Sequence, residues 1–528
     1  MSPTAPTALD AARAAYPAGP ARLTLGAVVH DGTCAPEPLV GIPLAMATRH
    51  GLIAGATGTG KTKTLQLLAE QCAAAGVPVF LADVKGDLSG LAAPGEASER
   101  TRQRAHDTGY GWTPMAAPVE FLSLTGANGA QLRATVSSFG PLLLAKVLDL
   151  NATQTSVLTL VFKYCDDQGL LLLDFADLRA VLQHLATDEG AAELKAYGAS
   201  SKTTLGVLLR EMVELEAQGA GRFFGEPEFD LDDLLVVEPG GQGRVSVLDL
   251  TDVQDKPALF STFMLWMLAR LYATLLEVGD ADRPKLVFFF DEAHLLFDDA
   301  TEAFREQVEQ VVRLIRSKGV GVYFITQSPK DVPADILGQL GNRVQHALRA
   351  FTPDDAKALR AAARTFPKTA FYDIEETLTT LGIGEALVTV LAPSGAPTPP
   401  FAVRIVPPAS RMGPLTAAER QARLAASAQV QRYRATVDRD SARERLEQRA
   451  MRTADAAEQA AARAEAARPP ERTAARTTRA AGAAPPARHG RPPKSALEQV
   501  LGSPTTRSVV NTVARTLLGA LLGGTRRR

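Results

Sequence analysis

Short apolar runs recur between Arg22 and about Pro408. They lie at 51–56 (GLIAGA), 77–83 (VPVFLAD), 119–124 (VEFLSL), 245–250 (VSVLDL), 285–291 (KLVFFFD), 320–326 (VGVYFIT), 343–350 (RVQHALRA) and 386–392 (ALVTVLA). The runs are continuous rather than alternating, the pattern of strands covered on both faces. Helical stretches separate them, which predicts an α/β fold around a mostly parallel sheet. One interval breaks the rhythm. From about Leu132 to Leu235 the pattern is helical, as in LLLAKVLDLNATQTSVLTLVFKYC and KTTLGVLLREMVELEAQG. It reads either as a helical subdomain inserted between core strands or as further helices packed on the sheet. No internal repeat is visible.

The flanks differ in composition. Residues 1–20 are rich in Ala, Pro and Thr and predict a loose, flexible leader. Residues 409–468, rich in Ala, Arg, Glu and Gln, predict a charged helix, solvated or in a coiled coil. Residues 469–495 read as a disordered Pro/Ala/Arg linker. In 496–528, Val509, Val510, Val513, Leu517, Leu518, Leu521 and Leu522 recur near helical spacing ahead of three arginines. That predicts an amphipathic helix that meets a partner helix or an anionic surface, or docks on its own domain.

The 528 residues carry 57 Lys+Arg against 58 Asp+Glu, a balance that hides an asymmetry. From Arg411 onward there are 23 basic and 10 acidic residues, leaving 34 and 48 for the body. An acidic body therefore carries a basic tail. At 46% hydrophobic residues a wholly disordered chain is excluded. Cys34, Cys72 and Cys165 are too far apart for metal or redox spacing and fit a reducing compartment. With no signal-peptide pattern and no long apolar span, the expected location is cytoplasmic.

The chemistry concentrates in Gly55-Ala56-Thr57-Gly58-Thr59-Gly60-Lys61-Thr62, which fits G-x-x-x-x-G-K-[ST] and lies between an apolar run and a helical one. Backbone N–H groups from Gly55 to Lys63 are expected to cradle phosphates, with the helix N-terminus adding partial positive charge. Lys61 is expected to reach the β- and γ-phosphates, and Thr62 to place its hydroxyl on Mg²⁺. A second element, KLVFFFDEAH, ends an apolar strand in two acids. Asp291 is the expected Mg²⁺ ligand and Glu292 the general base that polarises the attacking water. Gln327 ends the next strand and reads as a γ-phosphate sensor or a satisfied polar strand end. Asp83 reads as an acid that orients water or the base, or as the cap of the turn Lys85-Gly86. Arg49, Arg313, Arg316 and Arg343 are candidates for a cation on the γ-phosphate, or surface arginines. His294 has at most a supporting role.

With RHGLIAGATGTGKTKTLQ, FLADVKGDLSG, FFFDEAHLLF and RLIRSKGVGVYFITQSPKDVP in this order, the chain resembles the HerA/FtsK branch of P-loop ATPases. More narrowly, it is similar to bacterial HerA-like helicase-domain proteins of the YjgR (DUF853) type, from about Arg22 to Pro408. The resemblance implies a RecA-like core of the additional-strand (ASCE) class and a homo-oligomeric ring, commonly a hexamer. It implies ATP-driven movement along double-stranded DNA. It also assigns Arg49, Asp83, Glu292, Arg316 and Gln327 to the nucleotide chemistry. The roughly 50 residues before the phosphate loop are too few for the β-barrel that precedes the motor in HerA proteins. The alternative reading is a nucleotide-switched interaction protein with slow, DNA-independent turnover, its C-terminal helix recruiting a protein or an anionic surface. An NTPase acting on protein or another polymer is a third reading.

Overall fold

The computed structural model of the chain describes residues 7–19, 21–198, 202–279, 281–297, 302–437 and 439–466. Contacts divide the chain into Met1–Ala457 and Glu458–Arg528. The described part of the second unit, 458–466, is the end of the helix Ala442–Ala466. The linker and amphipathic helix expected over 469–495 and 496–528 lie outside the described residues.

The strands are β1 (Arg22–His30), β2 (Thr33–Pro43), β3 (Gly51–Ala54), β4 (Val79–Asp83), β5 (Val119–Ser123), β6 (Ala130–Gln131), β7 (Val245–Asp249), β8 (Leu286–Phe290), β9 (Val320–Thr326), β10 (Asn342–His346), β11 (Glu385–Thr389) and β12 (Phe401–Ile405). They form one sheet in the order β2-β1-β12-β11-β10-β3-β9-β8-β4-β7-β5-β6. From β10 to β6 every neighbouring pair is parallel. From β2 to β10 every pair is antiparallel. All eight predicted strands are present. The apolar-run pattern did not reveal β1, β2, β6 or β12. β2 carries Pro36, Pro38 and Pro43 and sits at the sheet edge, where a missing N–H leaves no gap in the ladder.

The sheet is covered on both faces, which explains the continuous runs. Along β8, Leu286, Phe288 and Phe290 enter one core, and Val287 and Phe289 enter the other. The second core holds Leu65, Leu67 and Leu68 from the helix Lys61–Ala74, which follows β3. The first holds Trp266 from the helix Pro257–Thr274 and apolar residues of helices between β6 and β7. Those helices are Val136–Val147, Ala152–Gln168, Phe175–Ala186, Asp188–Lys195 and Lys202–Ala217. Their starts are set by Thr135, Asn151, Asp174 and Thr187, whose side chains accept hydrogen bonds from first-turn N–H groups.

Two flanking expectations are corrected. The leader is not loose throughout. Thr7 and Asp10 form a capping box for the helix Ala8–Ala15, and Ala8, Ala12 and Tyr16 are buried. The described residues of 409–468 form not one helix but three, Ala417–Ala426, Ala428–Arg434 and Ala442–Ala466. Ser427 closes the first and caps the second, and Tyr433 and Leu446 are buried.

His50 ties the N-terminal end of the sheet together. Its Nε2 donates to Val312 O at 2.8 Å, and its Nδ1 accepts from Val322 N at 3.0 Å. Protonating Nδ1 would break the second bond. Burial pushes the pKa of His50 down to about 4. The unfolded chain therefore binds the extra proton between about pH 6.5 and pH 4. The contribution of neutral His50 is complete above about pH 6.5 and is lost as pH falls toward 4. Buried Asp83, with its raised pKa, acts in the opposite direction over the same range. The comparison to make is therefore wild type against His50→Gln. The difference in unfolding free energy, measured by denaturant titration, should shrink from pH 7 to pH 4.5, by up to about 3 kcal/mol. A difference independent of pH would show that His50 is not held neutral.

Candidate nucleotide site

The C-terminal ends of four neighbouring parallel strands meet at one edge of the sheet. In register, Ala54 of β3 lies beside Thr326 of β9, Phe324 of β9 beside Phe290 of β8, and Phe290 beside Ala82 of β4. Strand ends at this edge are where open α/β sheets bind ligands. The residues that follow them are the phosphate loop after β3, Gln327 after β9, and Asp291 and Glu292 after β8, while Asp83 ends β4.

The loop from Gly55 to Gly60 needs glycine for two reasons. Gly60, at φ 120°, turns the chain into the helix Lys61–Ala74. Gly55, at φ 153°, leaves no room for a Cβ, which would lie 2.5 Å from the Cβ of His346. His346 supports the loop from β10. Its Nε2 accepts from Thr64 Oγ1 at 2.9 Å, and its Nδ1 donates to Glu385 O at 2.9 Å. Burial pushes its pKa down to about 4, so it is a neutral prop. Gly384 N donates to Thr59 O at 2.9 Å, pinning the loop from β11's leading turn. Lys61 folds over the loop and donates to Gly55 O at 2.7 Å and Ala56 O at 3.1 Å. Burial lowers its pKa, against the opposing pull of Glu292. Thr62 and Lys63 follow in the first turn of the helix, whose amides point toward the loop.

Asp291 and Glu292 are both buried. Burial, and next the charge of Glu292, push the Asp291 carboxyl up to about 6. Its Oδ2 has no hydrogen-bond partner among the described residues. A buried acid with an orphaned oxygen beside a phosphate loop suits a hard cation, and so does the hydroxyl of Thr62. The residues present therefore fit Mg²⁺. Glu292 has φ 48°, a left-handed conformation uncommon for glutamate. Its Oε1 is paired with Lys85 Nζ, and its Oε2 lies 3.3 Å from His294 Nδ1. Burial works against its charge, but Lys85, His294 and Lys61 together hold its pKa below the ordinary value.

Asp83 caps its turn. It accepts from Gly86 N at 2.8 Å and from Leu88 N at 3.0 Å, so both its oxygens serve the backbone. Burial pushes its carboxyl up to about 7. Gln327 is exposed and faces a cavity of about 560 Å³ that Ala56, Thr57, His294 and Lys330 also line.

The arginines divide. Arg343 donates to the carbonyls of Leu340, Thr365 and Leu337, so it is a backbone clamp and not a cation for phosphate. Arg313 is paired with Glu309 on its own helix. Arg49 and Arg316 both lie within electrostatic reach of His50. They lie at the N-terminal ends of β3 and β9, the far edge of the sheet from the phosphate loop. At roughly 3.3 Å per residue, β9 alone puts about 20 Å between Arg316 and Gln327. Within one copy of the chain they do not join the site.

Two residues escaped sequence reasoning. Lys85 read as a turn residue because its tie to Glu292 exists only once β4 pairs with β8. His346 became visible only when β10 paired with β3. The turn D-V-K-G at a strand end was the available signal for the first. The second left none.

A phosphate loop on β3, paired acids on β8 and the extra strand β9 between them define a RecA-like P-loop NTPase core of the additional-strand class. The chain belongs to the family described as Helicase HerA-like C-terminal, which it matches over residues 31–528. It is similar to the DNA double-strand break repair helicase HerA of Saccharolobus solfataricus, with 24% identity over 162 residues, 30% of this chain and 31% of that protein. It is also similar to the probable helicase MJ1565 of Methanocaldococcus jannaschii, with 30% identity over 115 residues, 22% of this chain and 21% of that protein. The matched stretches thus span less than a third of either curated relative. Among solved structures, the plasmid coupling protein TrwB in complex with ADP and Mg²⁺ aligns at 15% identity, 76% of this chain and 92% of that chain, with a TM-score of 0.49. VirB4 of Thermoanaerobacter pseudethanolicus aligns at 16% identity, 72% and 96%, with a TM-score of 0.42. The three cysteines are free. No helix among the described residues is long and apolar enough to cross a membrane.

Proposed function

We propose that the chain is a Mg²⁺-dependent ATP hydrolase that assembles as a homo-oligomeric ring, commonly of six, and moves along double-stranded DNA in the cytoplasm. The observation that carries this reading is the split site. The cradle and the acids stand at one edge of the sheet and Arg49 with Arg316 at the other, so a second copy must present its far edge to complete the constellation.

In this mechanism Lys61 and the amides from Gly55 to Lys63 hold the triphosphate. Glu292 accepts a proton from the attacking water, and Gln327 senses the terminal phosphate. Asp83 is not the base, since both its oxygens accept from backbone N–H groups. It holds the turn that presents Lys85, and so positions the base. Thr62 and Asp291 would hold Mg²⁺, which neutralises charge on the phosphate oxygens when bound. Arg316, with Arg49 behind it, stabilises charge on the γ-phosphate of the neighbouring copy.

The DNA half of the reading is supported by the family's helicase description and by the curated relatives' names. The acidic body makes bulk attraction to DNA weak, so the basic residues after Arg411 are assigned the electrostatic share. The test is ATP turnover at low salt with and without duplex DNA. A stimulation of about tenfold, fading as salt rises, is expected. Turnover that ignores duplex DNA at every salt concentration would favour the nucleotide-switched interaction protein instead.

A further inference from the structure

Lys85 and Glu292 present a chemical conflict. A carboxylate serves as a base for water only through an oxygen that water can reach: Oε2 of Glu292 is buried and has no hydrogen-bond partner among the described residues, and Lys85 occupies Oε1. The two side chains are unequal. That of Glu292 is 7% exposed, and that of Lys85 is 48% exposed. The backbone under Lys85 is fixed. Asp83 holds Gly86 N and Leu88 N, and Gln254 donates to Val84 O. The four-carbon stem of Lys85 can therefore swing while its anchor stays in place.

The anions and cations within its reach set where it can go. Glu292, Asp291 and Asp87 act on Lys85 electrostatically, and Lys61 and Lys85 act on each other. The Glu292 carboxylate thus feels two ammonium groups, that of Lys61 held on the phosphate-loop carbonyls and that of Lys85 reaching from the turn after β4. The terminal phosphate of a triphosphate, gripped by Lys61, brings a stronger anion to the same place. A diphosphate does not. When Lys85 leaves, Oε1 opens toward water, while the His294 ring stays 3.3 Å from Oε2.

We propose that Lys85 is a γ-phosphate-binding latch: it blocks Glu292 until a triphosphate draws its ammonium away, so the base is released only when a hydrolysable phosphate is present. The proposal rests on the nucleotide-site reading above and adds to it how that site tells a triphosphate from a diphosphate. No bond is made or broken in the exchange, only one ion pair for another.

The experiment is a pair of binding measurements on the full chain, with Mg²⁺, using ADP and a non-hydrolysable ATP analogue. They are made on wild type, Lys85→Met, Lys85→Arg and Lys61→Ala. Lys85→Met should bind ADP as wild type does but lose about tenfold in affinity for the analogue, the size of one charged contact. Lys85→Arg should recover part of that loss. A merely structural Lys85 would weaken both nucleotides equally or neither, and either result overturns the latch. Lys61→Ala should lose both nucleotides. If wild type itself binds neither nucleotide, the site reading fails and the latch with it. If ADP binds and the analogue-to-ADP ratio is untouched by Lys85→Met, the latch alone fails.

Discussion

Glu292→Gln should bind ATP at least as well as wild type and hydrolyse it at least about a hundredfold more slowly. The substitution keeps the shape of the side chain and removes its capacity to take a proton. It also dissolves the charge pair with Lys85, leaving that ammonium free for the terminal phosphate. The buried position of Glu292 makes substitution of this role by bulk solvent inefficient. Single-turnover release of phosphate, measured beside equilibrium binding of the same nucleotide, separates the two effects. Turnover near the wild-type rate would remove Glu292 from the chemistry.

Arg316→Ala should lower turnover by about a thousandfold or more, the range of a cation supplied to a phosphoryl transition state. Nothing in the Arg316 neighbourhood suggests so large a structural cost. The residue is exposed, in the turn Arg316–Lys318 that leads into β9. A stability change beyond about 0.5 kcal/mol is not expected from an exposed position of this kind. Activity lost without a change in unfolding midpoint is therefore the signature sought. Arg343→Ala should behave in the opposite way, since its guanidinium binds three main-chain carbonyls.

The parts of the molecule that could be read from the chain were those decided by local order. Strand, glycine loop and helix follow one another from Gly51 to Ala74, so the phosphate loop was legible residue by residue. The two acids after β8 were legible because a charged pair closing five apolar residues needs a reason to be buried. β2 was obscured by its own prolines. The helix Ala8–Ala15 was obscured by composition, although Thr7 and Asp10 carry a readable capping box. What stayed hidden depends on which strands become neighbours. Lys85 meets Glu292 through β4 and β8, and His346 meets Gly55 through β10 and β3. Arg343 was misjudged for a different reason: it turns back onto the carbonyls of Leu337 and Leu340 just before its own strand and onto that of Thr365, a fold of the chain that composition does not announce. Asp83 kept two readings until its oxygens were found on Gly86 and Leu88.

The account stands on a site divided between two copies of the chain, and mixing two damaged forms tests that division. Glu292→Gln and Arg316→Ala are each expected to be nearly inactive in ATP turnover. Combined in equal amounts and allowed to co-assemble, they should regain a substantial fraction of wild-type turnover. A site in an Arg316→Ala copy then keeps its own Glu292 and receives Arg316 from its neighbour. A co-assembled mixture no faster than either variant alone, or an Arg316→Ala chain as fast as wild type, would contradict the shared site.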